Sequence, residues 1–261
     1  MATNERMSSI EQSATTTGSK HMNTNRQAAS TMASSRKIAL VAGVLYLLTF
    51  VSVPTLALYG QVKSANYIIG AGSDTTVIMA GILEIIVALA GIGTAVVLFP
   101  VLKKQNESAA LGLVAARILE SSTIFVGVAF ILSIVTLRQA GAGADALVTG
   151  HALATLYDRI FLLGQSFMPA ICDLLLGILL YQSRLVPRGL ALIGIVGAPV
   201  LVAGYLAVMF GLIGQRAPLA GLSALLVALF EFSLGIWFIV KGFNSSAIAS
   251  LTEKAAINEI R

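Results

Sequence analysis

The sequence predicts an all-α polytopic membrane protein, a bundle of six transmembrane helices, and three observations carry that prediction. Hydrophobic residues make up 57% of the 261 residues and charged ones only 11%, against about 25% charged in a soluble domain. The apolar residues come in long unbroken runs, more than one water-soluble core can hide. Six of these runs reach the roughly 20 residues a helix needs to cross the hydrocarbon. Backbone groups in lipid must be paired within a segment or in a closed barrel, and the runs lack the ten-residue alternation of barrel strands.

The elements follow in order. Residues 1–36 hold thirteen Ser or Thr and no aromatic residue. They cannot bury enough surface to offset their ordering entropy, so they read as a disordered arm. The apolar run after Arg36 and Lys37 lies too far along the chain, and is too long, to be a signal peptide. The spans are expected at 38–58, 77–101, 111–137, 155–181, 190–213 and 218–240, within one membrane domain over residues 37–243. Pro100 is expected to end the second span and Pro187 to precede the fifth, while Pro218 suits the first turn of the sixth. Pro54, Pro169 and Pro199 fall within spans, where each removes a hydrogen bond and bends the axis. Small residues mark close helix contacts. On the fifth span these are Ala203, Ala207 and Gly211 at every fourth position, and Gly197, Gly204 and Gly211 at every seventh. On the sixth they are Ala220, Ala224 and Ala228. The tail, residues 244–261, can start a short amphipathic helix at Ser245 or Ser246 with Ile248, Leu251 and Ala255 on one face. It then either lies on the membrane surface or frays.

Charge sets the orientation. Arg36, Lys37, Lys103, Lys104, Arg184, Arg188 and Lys241 flank one set of span ends; Lys63, Arg138 and Arg216 flank the other. Short loops rich in Lys and Arg stay in the cytoplasm. Both termini are therefore expected there, with the protein in the inner (plasma) membrane. These basic residues form no stripe or run, so the net charge of +5 does not point to nucleic acid. The bilayer is the expected partner, and no cofactor is expected.

Charges inside the spans carry the functional question. At about 1.5 Å per residue, Arg117 lies roughly 9 Å from the cytoplasmic end of its span, and Glu120, Asp173 and Glu231 roughly 12–13 Å from theirs. Arg117 and Glu120, one turn apart on the third span, can pair with each other or point together at Glu231 and Asp173. A charge at mid-membrane costs about 3 kcal/mol and turns inward to a partner. Arg117, Glu120 and Glu231 are expected to face one another, with the third and sixth helices as neighbours and Asp173 as a fourth member. Glu84, Asp158 and Arg159 belong to the outer half. One arginine cannot neutralise three carboxylates, so protons, a cation or water must serve the rest. Enzyme chemistry is not expected. The two histidines, His21 in the arm and His151 in an outer loop, leave no zinc site or Ser-His pair in the bundle. "GQSFM" at 164–168 lacks the second glycine of a nucleophile elbow, and the lone Cys172 reads as a small buried residue.

Three stretches resemble the DUF4386 family of bacterial membrane proteins: "LFPVLKKQNESAALGLVAARILES" (98–121), "GILLYQSRLVPRGLALIGIVGAP" (177–199) and "FEFSLGIWFIVKGF" (230–243). The family's Arg-x-x-Glu corresponds to Arg117 and Glu120, its Ser-Arg-Leu-Val-Pro-Arg turn to Ser183–Arg188, and its closing Glu, Trp and Lys-Gly-Phe to Glu231, Trp237 and residues 241–243. Gly189 stands where the family prefers an aromatic residue, and Asp173 is not among its landmarks. The resemblance implies the fold and the polar positions, and no activity. Two functions stay open: a small transporter, channel or ligand-binding bundle serving a proton, cation or small polar ligand through the charged layer, or a structural or regulatory partner in which that layer only holds helices together. The two differ in whether a hydrated cavity reaches the charges.

Reporter fusions test the orientation. Those at Gln105, Ser183 and Ser246 are expected to read cytoplasmic, and those at Gly70, Gly143 and Gln215 external. An external signal at Ser183 overturns the map, because the loop charges leave that turn no other side.

Overall fold

The computed structural model describes residues 30, 32–64, 66–70 and 72–259. Among these residues, six helices are long and apolar enough to cross a membrane. They are α1 (Met32–Thr49), α2 (Asp74–Leu102), α3 (Glu107–Gln139), α4 (Gly143–Ser183), α5 (Arg188–Met209) and α6 (Pro218–Val240). A seventh helix, α7 (Ser245–Glu259), follows the last span.

The helix ends follow from local chemistry. Ser73 caps α2 by accepting the Thr76 N–H, and Asn106 caps α3 by accepting the Ala109 N–H at 3.0 Å. Asp74 and Glu107 in the first turns suit the positive helix ends. Gly211, at φ 72°, stops α5: its N–H bonds the Val208 carbonyl and the Leu212 N–H bonds that of Ala207. The fifth span therefore ends four residues before the expected 213.

Other boundaries also differ from the sequence reading. The first helix is already formed at Met32, so residues 32–36 of the expected arm extend the first span, while residues 1–29 and 31 lie outside the described residues. The same helix stops at Thr49 and gives way to a 3₁₀ turn at Phe50–Ser52. Pro54 then opens a helical turn at Thr55–Leu58, so it lies in a break and not within a helix. Pro100 sits inside α2 and does not end it. The fourth span starts earlier than expected, placing His151 on helix and not in a loop.

The bundle is apolar outside as well as inside. On α6, Leu222, Leu225, Leu229, Phe232 and Ile236 are exposed, as lipid-facing residues are. The main packing pairs are α2 with α3, α3 with α4, α4 with α5 and α5 with α6. Helix α1 closes on α6: a Cβ at Gly43 would stand 2.7 Å from the Gly235 carbonyl oxygen. At the α5–α6 contact the small residues are Gly194 against the Phe230 ring, Gly197 against Leu226 and Gly204 against Ser223. Ala203 is exposed and Gly211 meets open space, so the every-fourth row does not carry this contact.

One end of the bundle, which we call the basic end, is tied together by polar bonds. Arg36 donates to the carbonyls of Phe238 at 2.7 Å and Ile239 at 2.5 Å. The Asn244 N–H reaches the Leu185 carbonyl at 2.9 Å, and the Asn244 side chain caps α7 through the Ser246 N–H. Ile248 and Leu251 of α7 are buried in the core of this end, and Lys104 donates to Thr252 at 3.2 Å. The tail helix thus packs on the protein with the expected face inward.

Gly43→Leu is expected to lower the melting transition sharply, since overpacking costs about 1–3 kcal/mol where side chains give and more where backbone stands in the way. Gly221→Leu, which meets nothing within 4 Å, is the control. Equal thermal transitions for the two variants would show that α1 does not sit against α6.

Candidate functional site

Arg117 is 3% exposed and forks between two helices. Its Nη1 donates to Glu120 Oε2 at 2.9 Å, one turn along α3, and its Nη2 donates to Glu231 Oε1 of α6 at 2.5 Å. The same Nη2 lies 3.6 Å from Asp173 Oδ1 of α4. The guanidinium carbon stands 5.9 Å from the centre of the buried Tyr46 ring on α1, and the Cys172 thiol reaches Glu120 Oε2 at 3.5 Å. Asp173, expected as a fourth member from its depth alone, is fully buried and within this group. Arg117 is planar and delocalised, so one side chain can serve carboxylates in two directions.

The expected pairing of α3 with α6 as neighbours is corrected by the packing. Helix α3 packs on α2 and α4, and α6 on α5 and α1. Only the length of the arginine joins them. The space it crosses is a cavity of about 260 Å³ that all six spans line, through Thr49, Gly91, Arg117, Ser166, Tyr205 and Glu231 among others. Glu120 also faces this space. Among the described residues, four buried side-chain polar atoms have no protein hydrogen-bond partner: Arg117 Nε, Ser166 Oγ and both Asp173 carboxyl oxygens. An ionised Asp173 offers only acceptors to Glu231, which faces it, and two carboxyl oxygens bond only with a proton between them.

The fourth span explains how Gln165 and Ser166 reach the cavity. It changes to a π-helix at Leu162–Phe167, just before Pro169. Proline has no N–H to give the carbonyl one turn back, that of Gln165, and its ring crowds that carbonyl. A wider turn relieves the clash, and such turns recur at functional sites. Sequence reasoning expected a bend at Pro169 and passed over the two polar residues before it. A polar pair three and four residues ahead of an intramembrane proline is the signal that could have found them.

Of the outer-half residues, Glu84 and Asp158 are held by partners other than those of the Arg117 cluster. Glu84 is fully buried and accepts from Tyr157 at 2.8 Å, Tyr59 at 3.3 Å and Gln165 at 3.4 Å. Asp158 pairs with Lys63 at 2.6 Å and lies 3.9 Å from Arg216. Burial draws the Lys63 ammonium below the ordinary lysine range, and the bond to Asp158 opposes that. Arg159 is exposed and belongs to neither group. Gln165 touches both, bonding Glu84 while lining the cavity.

Fold and site together define an integral membrane protein: an all-α polytopic bundle with a charged cluster under a central cavity. The DUF4386 profile, described as a domain of unknown function, matches residues 41–242. The chain belongs to that family. No curated protein and no solved structure matches it.

Arg117→Ala is expected to cost about 3–5 kcal/mol, because it strands buried carboxylates, while Lys103→Ala stays within about 0.5 kcal/mol. A double-mutant cycle on Arg117 and Glu231 should give a coupling above about 1 kcal/mol. A coupling near zero would exclude a direct pair.

Proposed function

We propose that the protein binds a small polar solute in the central cavity and carries it across the membrane, with the charged cluster as the floor of the binding site. The observation that supports this most is the cavity reaching Arg117, Glu120 and Glu231. A purely structural clamp calls for a dry cluster with every polar group paired. Here Ser166 Oγ and the Asp173 carboxyl lack protein partners, and a buried polar group left so costs about 1–3 kcal/mol. Water or a ligand in the cavity can supply the missing bond at Ser166, which lines it. The cavity is lined in part by Phe50 and Val53, where α1 breaks, and Val53 is 62% exposed. With the basic end in the cytoplasm by the distribution of Lys and Arg, an opening beside Val53 would lie in the external half.

Cysteine labelling tests the reading. In a Cys172→Ala background, Ala228→Cys, on the cavity wall, is expected to react with a membrane-impermeant thiol reagent added outside. Leu229→Cys, on the exposed apolar face of α6, is expected not to react, because hydrocarbon excludes the reagent. Equally slow reaction at both positions would sink the cavity reading and leave the clamp.

A further inference from the structure

The cluster at the cavity floor holds three carboxyls, each within 3.6 Å of the Arg117 guanidinium. Fully ionised it would carry two excess negative charges in a low-dielectric layer, which is costly without a counter-charge. Arg117 is already engaged by Glu120 and Glu231, and Asp173 has no donor. Among the described residues, no group of three or more His, Cys, Asp or Glu side chains could hold a metal ion. The cavity also offers more than charge. Ser166, 3% exposed, presents an unpartnered hydroxyl, and the walls are aliphatic and aromatic through Val87, Ile124, Phe50 and Tyr205. A cationic head with a short apolar body fits both features. An anion would add to the excess negative charge, and a bare alkali ion would leave the apolar walls and most of the 260 Å³ unused.

We propose that the solute is a small primary ammonium ion bound at Glu231, exchanged for a proton held between Asp173 and Glu231, with Arg117 as the switch. This rests on the cavity reading above. In the empty state Arg117 bridges Glu120 and Glu231, and Asp173 keeps a proton. The ammonium enters, donates to Glu231 and to Ser166 Oγ, and displaces Arg117 Nη2. That nitrogen is 2.5 Å from Glu231 and 3.6 Å from Asp173. A shift of about 1 Å brings it to charge-assisted bonding distance of Asp173, which ionises. The released proton leaves past Glu231 into the cavity water. One cation enters and one proton leaves, so the net charge of the cluster is the same in both states. The groups facing Asp173 are Arg117 and Glu120 from α3, Cys172 beside it on α4, Glu231 from α6 and Tyr46 from α1. Arg117 is the cation among them, so only it can take the place of the proton.

The test is calorimetry on the purified full chain with n-propylammonium, in two buffers of different ionisation heat. About one proton released per cation bound is expected. Its wild-type affinity should then fall about tenfold for each unit decrease in pH while Asp173 is protonated in the free protein. Asp173→Asn should bind without releasing a proton, and Glu231→Gln should bind at least tenfold more weakly. Propan-1-ol and propionate should not bind, and sodium should not compete. Binding without proton release, release that persists in Asp173→Asn, preference for propionate, or displacement by sodium would each overturn the proposal. Where a variant does not fold, the wild-type pH dependence decides alone. Failure of propylammonium to bind a protein whose Ala228→Cys variant still labels would leave the cavity reading standing and remove this one.

Discussion

A guanidinium in the hydrocarbon layer must find its counter-charge within the protein, and much of this structure is arranged around that demand. Arg117 is buried away from bulk water, so it draws Glu120 from its own helix and Glu231 from a helix that does not pack against it. The bond joins the α2–α3–α4 side of the bundle to the α1–α5–α6 side across an opening. Were α3 and α6 in contact, as their matching depths suggested, the same charges would be paired and the space between them closed. The charge pair therefore adds a tie across the space that these helices line, beside the apolar α4–α5 contact that already joins the two sides.

The two buried carboxylate sites make a useful contrast. Glu84 and Asp173 are both fully buried. Glu84 accepts from three neutral donors, two tyrosines and a glutamine, and its needs are met by the protein. Asp173 meets another carboxyl and an arginine already engaged elsewhere. A fully satisfied buried group rigidifies its surroundings, whereas an unpaired one stays costly until a proton, water or ligand serves it. The glutamine that completes the first site also lines the cavity above the second, so the closed outer site and the open inner one share a wall.

Much of this was legible in the sequence, for identifiable reasons. Span number and type follow from apolar length, which the bilayer dictates. The depths of Arg117, Glu120, Asp173 and Glu231 follow from a constant helical rise. Depth contains no rotation about the bundle axis, however, so it could not say that α3 and α6 stand apart. Hydropathy also carries no signal for the break after Thr49, because residues on both sides are apolar. Pro100 was misread because a proline near a helix end gives up only one bond, and α2 runs two residues further. Ser166 gives no signal of its own because a hydroxyl in a membrane helix usually bonds its own backbone, as Ser122 does at Ile118 and Ser133 at Ala129.

The knot of bonds at the basic end gives the bundle the shape of a cup. Arg36 is clamped to two carbonyls of α6, the loop before α5 is tied to the start of α7, and α7 is tucked beneath with its apolar face in the core. A cup returns its contents to the side they came from. For anything bound above Arg117 to emerge at the other side, the base has to unlatch, which means freeing helix-end carbonyls and baring Ile248 and Leu251 to water. The slow step of any passage would then lie in the base, about two to three helical turns from the residues that choose the solute.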